Sequence, residues 1–199
     1  MRTRLQLAAL LACILPLAGC FVFSLHPLYT AEDHAYDPAL IGAWVSGDED
    51  CQTAKPSSDN PPCSFVFTTE ILDKQKGYRI VVTDEHGKRN SFRARLVELG
   101  KARFLDATPV EAPDLTSPAK NVHSFWKVVL RKNALKLVPL NQDWLQQELK
   151  AGRIKLAHRP GNALLLTAST AELRAFVSPH ANDPKAWPEA DATPLMKRK

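Results

Sequence analysis

The stretch that decides the fold is Tyr78–Asp106, which reads YRIVVTDEHGKRNSFRARLVELGKARFLD. Apolar side chains occupy every second position in two runs, at Tyr78, Ile80 and Val82 and again at Phe92, Ala94 and Leu96. This period of two is typical of strands with one buried face. Asp84–Lys88 and Gly100–Lys101 supply turn residues, so the stretch predicts consecutive antiparallel strands joined by short turns.

The same pattern continues on both sides of this stretch. Ser64–Thr69 alternates in the same way, and Val122–Arg131 and Ala134–Leu140 predict a hairpin. Ile154–Ala157 and Ala163–Thr167 are expected to close the meander. The prediction is a mainly β fold built as an antiparallel meander, in the form of a lipocalin-like β-barrel, with a β-sandwich as the alternative.

Two short helices interrupt the strands. Asn141 is a suitable N-cap for a helix over Gln142–Ala151, and Gly152 is a suitable stop. Ser169 and Glu172 have the spacing of a capping box, which predicts a second helix that ends near Pro179.

The N-terminal segment has the features of a secretory signal. Arg2 and Arg4 precede the apolar run Leu5–Leu17, which is too short to span a bilayer comfortably. Leu17–Cys20, which reads LAGC, resembles the lipobox of bacterial lipoproteins. The resemblance implies cleavage before Cys20 and attachment of diacylglycerol and a further acyl chain, such as palmitate, to that residue. Buried acyl chains would hold the protein on a membrane.

The residue after the lipobox cysteine bears on the destination. In lipoproteins of bacteria with two membranes, an aspartate at that position commonly signals retention in the inner membrane. Phe21 stands there in this chain, so the family pattern favours the periplasmic face of the outer membrane. The sequence thus divides into a signal peptide (1–19), a lipidated tether and entry segment (20–40) that is expected to pack against the domain, a β-rich domain (41–181) and a proline-rich basic tail (182–199).

Charge and cysteine content limit the partners. The formal charge of +5 falls to +3 once the signal peptide is removed, and the basic residues are scattered among acidic ones. This argues against a nucleic-acid partner. Cys13 leaves with the signal and Cys20 carries lipid, so Cys51 and Cys63 remain for a disulfide in an oxidising compartment.

Two further resemblances concern the folded part. Gly42-Ala43-Trp44 resembles the G-x-W motif of lipocalins, in which the tryptophan packs across the closed end of the barrel beneath a basic residue. That resemblance implies a partner such as Arg174 or Arg159. Ser24–Thr30, Pro38–Trp44 and His123–Trp126 together resemble small uncharacterised bacterial lipoproteins, a resemblance that implies compartment and fold but no activity.

The sequence shows no pattern for catalysis. The histidines lack metal-ligand spacing, and nucleophile-elbow, P-loop and dinucleotide motifs are absent, so we expect no enzyme activity, metal or cofactor. Asp48, Glu49 and Asp50 favour a solvated turn over a calcium loop. The alternative is an envelope hydrolase whose site assembles from distant residues such as His123, Asp106 and Glu111.

Aromatic side chains suggest a second kind of site. By alternation six of them face inward, where they either fill the core or line a cavity for an apolar ligand: Phe65, Phe67, Tyr78, Phe92, Phe104 and Trp126. The long connection Thr108–Asn121 is either a binding loop or an inert connector. The sequence therefore favours a non-enzymatic binding or scaffold domain for an apolar small molecule or an envelope protein, with a subunit of a larger envelope complex as a further alternative.

Overall fold

The computed structural model describes residues 22–47, 62–110, 122–161 and 163–198. Within these ranges the chain forms eleven strands: β1 Val22–Ser24, β2 Gly42–Ser46, β3 Ser64–Leu72, β4 Gln75–Thr83, β5 Arg89–Leu99, β6 Ala102–Pro109, β7 His123–Arg131, β8 Ala134–Pro139, β9 His158–Arg159, β10 Leu164–Leu166 and β11 Leu195–Lys197. The helices are a 3-10 turn, Pro38–Leu40, and two α-helices, α1 Gln142–Lys150 and α2 Thr170–His180.

Eight of the strands close into an antiparallel barrel. Strands β2 to β8 follow one another around the wall as a meander, and β11 fills the remaining place between β8 and β2. The prediction of a mainly β, lipocalin-like barrel with two short helices is confirmed, and the β-sandwich alternative is wrong. The turn predicted at Gly100–Lys101 joins β5 to β6, and Lys132 and Asn133 connect the two strands of the predicted hairpin, β7 and β8.

The inner face of the barrel is one apolar cluster. Its buried members come from alternate positions of the strands and include Trp44, Phe67, Tyr78, Ile80, Ala94, Leu96, Leu105, Val128, Leu135 and Leu195. Trp44, Phe67 and Tyr78 are fully buried, so one end of the barrel is filled with aromatic side chains. The alternation read from the sequence therefore gives the correct inward face for β4 and β5.

The tryptophan of the G-x-W tripeptide closes this filled end. Trp44 donates from Nε1 to the Leu40 carbonyl at 2.8 Å, and this hydrogen bond holds the 3-10 turn over the filled end. Lys197 Nζ lies 5.0 Å from the Trp44 ring centroid and donates to the Ala39 carbonyl at 2.9 Å. Gly42 has φ of 126°, and a Cβ there would lie 3.2 Å from Lys197 Cε, so a glycine leaves room for the lysine stem.

The basic residue over Trp44 is therefore Lys197. The expectation that Arg174 or Arg159 occupies this place is wrong. Arg174 instead donates to Asp33 Oδ2 at 2.7 Å, and Arg159 is exposed on β9. Both were suggested only by their position late in the chain, and the true partner lies still later, on the strand that closes the barrel.

A second apolar core lies outside the barrel wall. The outward side chains of β5 to β8 pack against β1, both α-helices and the segment around Trp187; the buried members include Val22, Leu28, Val97, Phe104, Phe125, Val138, Leu145, Leu164, Leu173, Val177 and Trp187. Phe104 belongs to this outer core, where its ring centroid lies 5.0 Å from that of Trp187. The prediction that Phe104 faces the interior is therefore wrong.

The predicted domain limits change at both ends. The segment 182–199 is not a loose tail, because Trp187 is buried and Leu195–Lys197 is a barrel strand. The entry segment packs against the domain as expected, because β1 pairs in the sheet and Leu28 and Leu40 are fully buried. Apolar residues spaced among prolines and polar residues are enough to bury both segments.

The helix predictions are close to the observed limits, whereas the predicted closing strands are wrong. Asn141 accepts from the Trp144 amide at the start of α1, and Ser169 and Glu172 form the complete capping box of α2. The predicted closing pair reduces to the short strands β9 and β10, which lie outside the barrel beside β1. Cys20, Cys51, Asp48–Asp50, Glu111 and most of the loop up to Asn121 lie outside the described residues, so the disulfide with Cys63 stays a prediction.

We expect a stability change at alkaline pH from Tyr78. Its hydroxyl accepts from the Asp37 amide at 2.7 Å and donates to the Asp37 carbonyl at 3.2 Å. Burial raises the pKa of Tyr78 from 10.0 to about 12, so above pH 10 the unfolded chain loses a proton that the folded chain keeps. The stability contribution is complete below pH 10, and about 2–3 kcal/mol is lost as the pH rises to 12. In urea unfolding measurements between pH 10 and pH 12, the free energy of unfolding of Tyr78→Phe should fall less with pH than that of the parent protein. The same fall in both proteins would contradict the assignment to Tyr78.

Candidate ligand-binding site

The end of the barrel opposite Trp44 is open. A hollow of about 430 Å³ lies there, at the ends of β2, β3, β4, β8 and β11. Its apolar lining includes five residues of the inner face of the barrel, namely Phe65, Val82, Trp126, Leu137 and Leu195, together with Pro139 and Ala192. This volume is within the range of small-molecule sites in proteins, which are mostly apolar and carry a few polar groups. We call it the mouth.

The six aromatic residues expected at a cavity have three different locations. Phe65 and Trp126 line the mouth, and Phe92 lies at the edge of the same inner cluster. Phe67 and Tyr78 are fully buried in the filled end, where they contact each other with ring centroids 6.2 Å apart. Phe104 lies in the outer core. The barrel is therefore filled by aromatic side chains at the Trp44 end, and the hollow lies at the opposite end.

The polar rim of the mouth is held by hydrogen bonds. Asp84 Oδ1 accepts from the backbone amides of His86 and Lys88 at 2.9 and 2.8 Å, which fixes the turn between β4 and β5. Trp126 Nε1 donates to Ser124 Oγ at 3.1 Å, so the indole that faces the hollow has its polar edge already satisfied. The mouth therefore presents an apolar lining in a fixed orientation, with the carboxylates of Asp84 and Glu85 at its edge.

A separate polar cluster lies under the N-terminal segment, on the outer face of the wall. Asp106 Oδ1 lies 2.6 Å from His123 Nδ1, and Asp106 Oδ2 accepts from the Leu28 amide at 2.6 Å. Both side chains are buried, and each arrives from a different strand, β6 or β7. Since both carboxylate oxygens have close partners, Asp106 joins the N-terminal segment to the barrel wall.

Tyr29 and Arg95 extend this cluster. The Arg95 guanidinium lies 4.9 Å from the Tyr29 ring centroid and donates to Asp73 Oδ2 at 2.7 Å and to the Leu72 carbonyl at 2.8 Å. Burial, followed by the nearby Asp106 charge, raises the pKa of Tyr29, so its hydroxyl stays neutral at ordinary pH. A hollow of about 290 Å³ beside Tyr29 is lined by charged groups that are already paired, Arg95 with Asp73 and Arg93 with Glu70.

The pair of His123 and Asp106 is the one named for a possible hydrolase, and the structure does bring these two residues together. Glu111 lies outside the described residues. The carboxylate fixes the orientation of the imidazole, as it would in a catalytic dyad, but its other oxygen holds the Leu28 amide and the Tyr29 ring packs edge-on against His123. These contacts indicate a structural clamp, so we do not propose hydrolysis.

Sequence reasoning missed several residues of both features. Val82, Leu137 and Leu195 are ordinary apolar strand positions, and nothing local marks them as lying at an opening. Alternation with Ala94 and Leu96 places Arg95 on the outer face, but the outer face of β5 is covered, and the residue is only 8% exposed. The signal that could have revealed this burial is an arginine within a strand that carries apolar residues on both faces, since such strands are usually covered on both sides.

Comparisons with known proteins provide no further assignment. No family description, curated protein or solved structure matches the chain. Among the described residues no helix is long and apolar enough to cross a membrane. The same residues contain no group of three or more histidine, cysteine, aspartate or glutamate side chains that could hold a metal ion.

We expect Asp106→Leu to release the N-terminal segment. The change leaves the Leu28 amide and the His123 ring without their buried partner, at a cost of about 2–5 kcal/mol in the free energy of unfolding. Hydrogen exchange followed by mass spectrometry should show that the variant exchanges faster than the parent protein in residues 22–36, with a smaller increase in β4 and β5. The exposed control Asp191→Asn should stay within about 0.5 kcal/mol of the parent protein. Unchanged exchange in residues 22–36 would exclude the clamp.

Proposed function

We propose that this protein is a lipid-anchored binding domain that holds an apolar or amphipathic small molecule at the mouth of its barrel. The observation that carries the proposal is the contrast between the two ends of the barrel. One end is filled by Trp44, Phe67 and Tyr78, and the other contains a hollow of about 430 Å³. A domain that only needed a stable core would gain by filling both ends, because packing at native density adds stability.

The lining supports an apolar ligand. Five apolar side chains of the inner face surround the hollow, and the polar edge of Trp126 is already hydrogen-bonded to Ser124. A ligand would therefore replace water at apolar surface, which is the dominant favourable term in such binding. The carboxylates of Asp84 and Glu85 at the rim suit a neutral or cationic polar group better than an anionic one. An envelope protein that inserts an apolar side chain is the alternative occupant.

The membrane location rests on the sequence. Arg2, Arg4, the apolar run and the lipobox ending in Cys20 support secretion and acylation, and Phe21 favours the outer membrane. The proposal is therefore a barrel displayed on the periplasmic face of that membrane, with Cys51 and Cys63 joined as a disulfide.

The binding proposal predicts a ligand-dependent fluorescence change. A mature domain carrying Cys20→Ser should bind the neutral apolar dye N-phenyl-1-naphthylamine saturably, with increased dye emission. Leu137→Glu places a charge in the mouth and should weaken binding at least about tenfold, because a carboxylate must then be desolvated.

The matched control for this experiment is Met196→Glu, on the neighbouring strand β11. Met196 is 50% exposed, so the same charge is placed outside the barrel and should leave dye binding unchanged. Equal loss in the two variants, or no saturable binding by the parent domain, would contradict the proposal for the mouth.

The anchor proposal predicts loss of membrane association in the Cys20→Ser protein. Without the thiol no diacylglycerol can be attached, and the protein should move from the membrane fraction to the soluble periplasmic fraction. Cys13→Ser, which changes a cysteine within the signal, should remain with the membrane. Retention of the Cys20→Ser protein in the membrane fraction would show that acyl chains on Cys20 are not the anchor.

A further inference from the structure

The hollow beside Tyr29 lies on the outer face of the barrel wall and is separate from the mouth. Its volume is about 290 Å³, which is enough for one small molecule. Its charged and polar lining residues are Tyr29, Glu70, Asp73, Arg93, Arg95, Asp106 and Thr108. Arg95 pairs with Asp106 and Arg93 with Thr108 across β5 and β6. Because residues two apart on a strand share a face, these four side chains lie together on the outer wall.

The carboxylate of Glu70 is only half satisfied. Glu70 Oε1 accepts from Arg93 Nε at 3.1 Å and lies 3.9 Å from Arg79 Nη1. Glu70 Oε2 is buried and has no hydrogen-bond partner among the residues that the structure describes. A buried acceptor without a partner is costly, so a ligand that donates a hydrogen bond to this oxygen would bind favourably.

The charges in the lining have both signs, and this limits the charge of a ligand. Three carboxylates, of Glu70, Asp73 and Asp106, lie beside the guanidinium groups of Arg93 and Arg95. A third guanidinium group contacts Glu70 from outside the lining, so the charges balance. An anion would meet the carboxylates, and a cation would meet the guanidinium groups. A neutral ligand with hydroxyl groups avoids both conflicts, because a hydroxyl both donates to a carboxylate and accepts from a guanidinium group.

We propose that this hollow is a second binding site, which takes a neutral polyhydroxylated small molecule of about the size of one monosaccharide. One hydroxyl group donates to Glu70 Oε2, and a neighbouring one accepts from Arg93, whose side chain is half exposed. Tyr29 and Ile71 supply apolar surface in the same lining for the C–H groups of the ligand. The site uses the outer face of the wall, so it does not depend on the ligand proposed for the mouth.

Saturation-transfer NMR tests the class of ligand. The full mature chain with Cys20→Ser is titrated with glucose, galactose, mannose and myo-inositol. We expect at least one of these neutral compounds to bind saturably, with half-saturation at about 10 mM or below. The 2-amino and uronate analogues of the hexoses keep the ring but add a positive or a negative charge. We expect each charged analogue to bind several-fold more weakly than the neutral hexose from which it is derived.

A variant of the half-satisfied carboxylate tests the site itself. Glu70→Gln replaces one acceptor oxygen by a donor and should weaken binding of the neutral compound about tenfold. The matched control is Glu98→Gln, the same change at an exposed position of β5, which should leave binding unchanged. Both variants should still bind N-phenyl-1-naphthylamine at the mouth, which shows that they are folded.

Three results would overturn the proposal for this hollow. They are the absence of binding by every neutral compound, binding of a charged analogue as tight as that of its neutral parent, and unchanged binding in Glu70→Gln. Failure of the parent protein to bind the naphthylamine dye would instead contradict the proposal for the mouth and leave these sugar titrations as an independent test.

Discussion

The barrel depends on a closing strand of three residues. Leu195, Met196 and Lys197 pair with β2 on one side, and Leu195 and Met196 pair with β8 on the other. Without them the sheet would have two open edges and its apolar inner face would meet water. Lys197 also extends over Trp44 and binds the 3-10 turn, so the same strand closes both the wall and one end. The Lys197 stem passes close to Gly42, where a Cβ would lie 3.2 Å from Lys197 Cε. Gly42, Trp44 and Lys197 therefore act together to close this end of the barrel.

The second constraint is that part of the wall is buried on both faces. On β5 and β6 the inward residues fill the barrel, and the outward residues meet a layer built from β1, the helices and Trp187. Arg95 and Asp106 are charged residues within that layer, and burying a charge is costly unless it is paired and hydrogen-bonded. Their partners come from the N-terminal segment and from Asp73, so the polar cluster holds the segment in place. The segment from Val22 to Leu40 is consequently part of the fold.

The sequence predicted best those features that depend on residues close together in the chain. Alternation placed Tyr78, Ile80 and Val82 on one face, and short turns fixed the hairpins of the meander. Capping by Asn141 and Ser169 located both helices. These features depend on neighbours within a few residues, so they are visible without a structure.

What the sequence did not reveal depends on contacts distant along the chain. Three residues near a C-terminal proline do not indicate a barrel strand until their partners are known. Phe104 lies in a run, Ala102–Asp106, that carries both apolar and charged residues on each face, so alternation could not distinguish inside from outside. The mouth exists because one end of the inner apolar cluster is filled and the other is hollow. These two ends are defined only once the barrel has closed, so the sequence does not reveal them.

The inner and outer faces of the same wall serve two purposes, lining the mouth and holding the outer layer. Trp126 faces the mouth from β7, whereas the neighbouring Phe125 belongs to the outer core with Val22 of β1. The side chains that line the mouth are therefore different from those that hold the outer layer. Since successive residues of a strand point to opposite sides, one strand serves both purposes without conflict. Substitutions at the mouth can therefore be made without touching the contacts that hold the N-terminal segment on the wall.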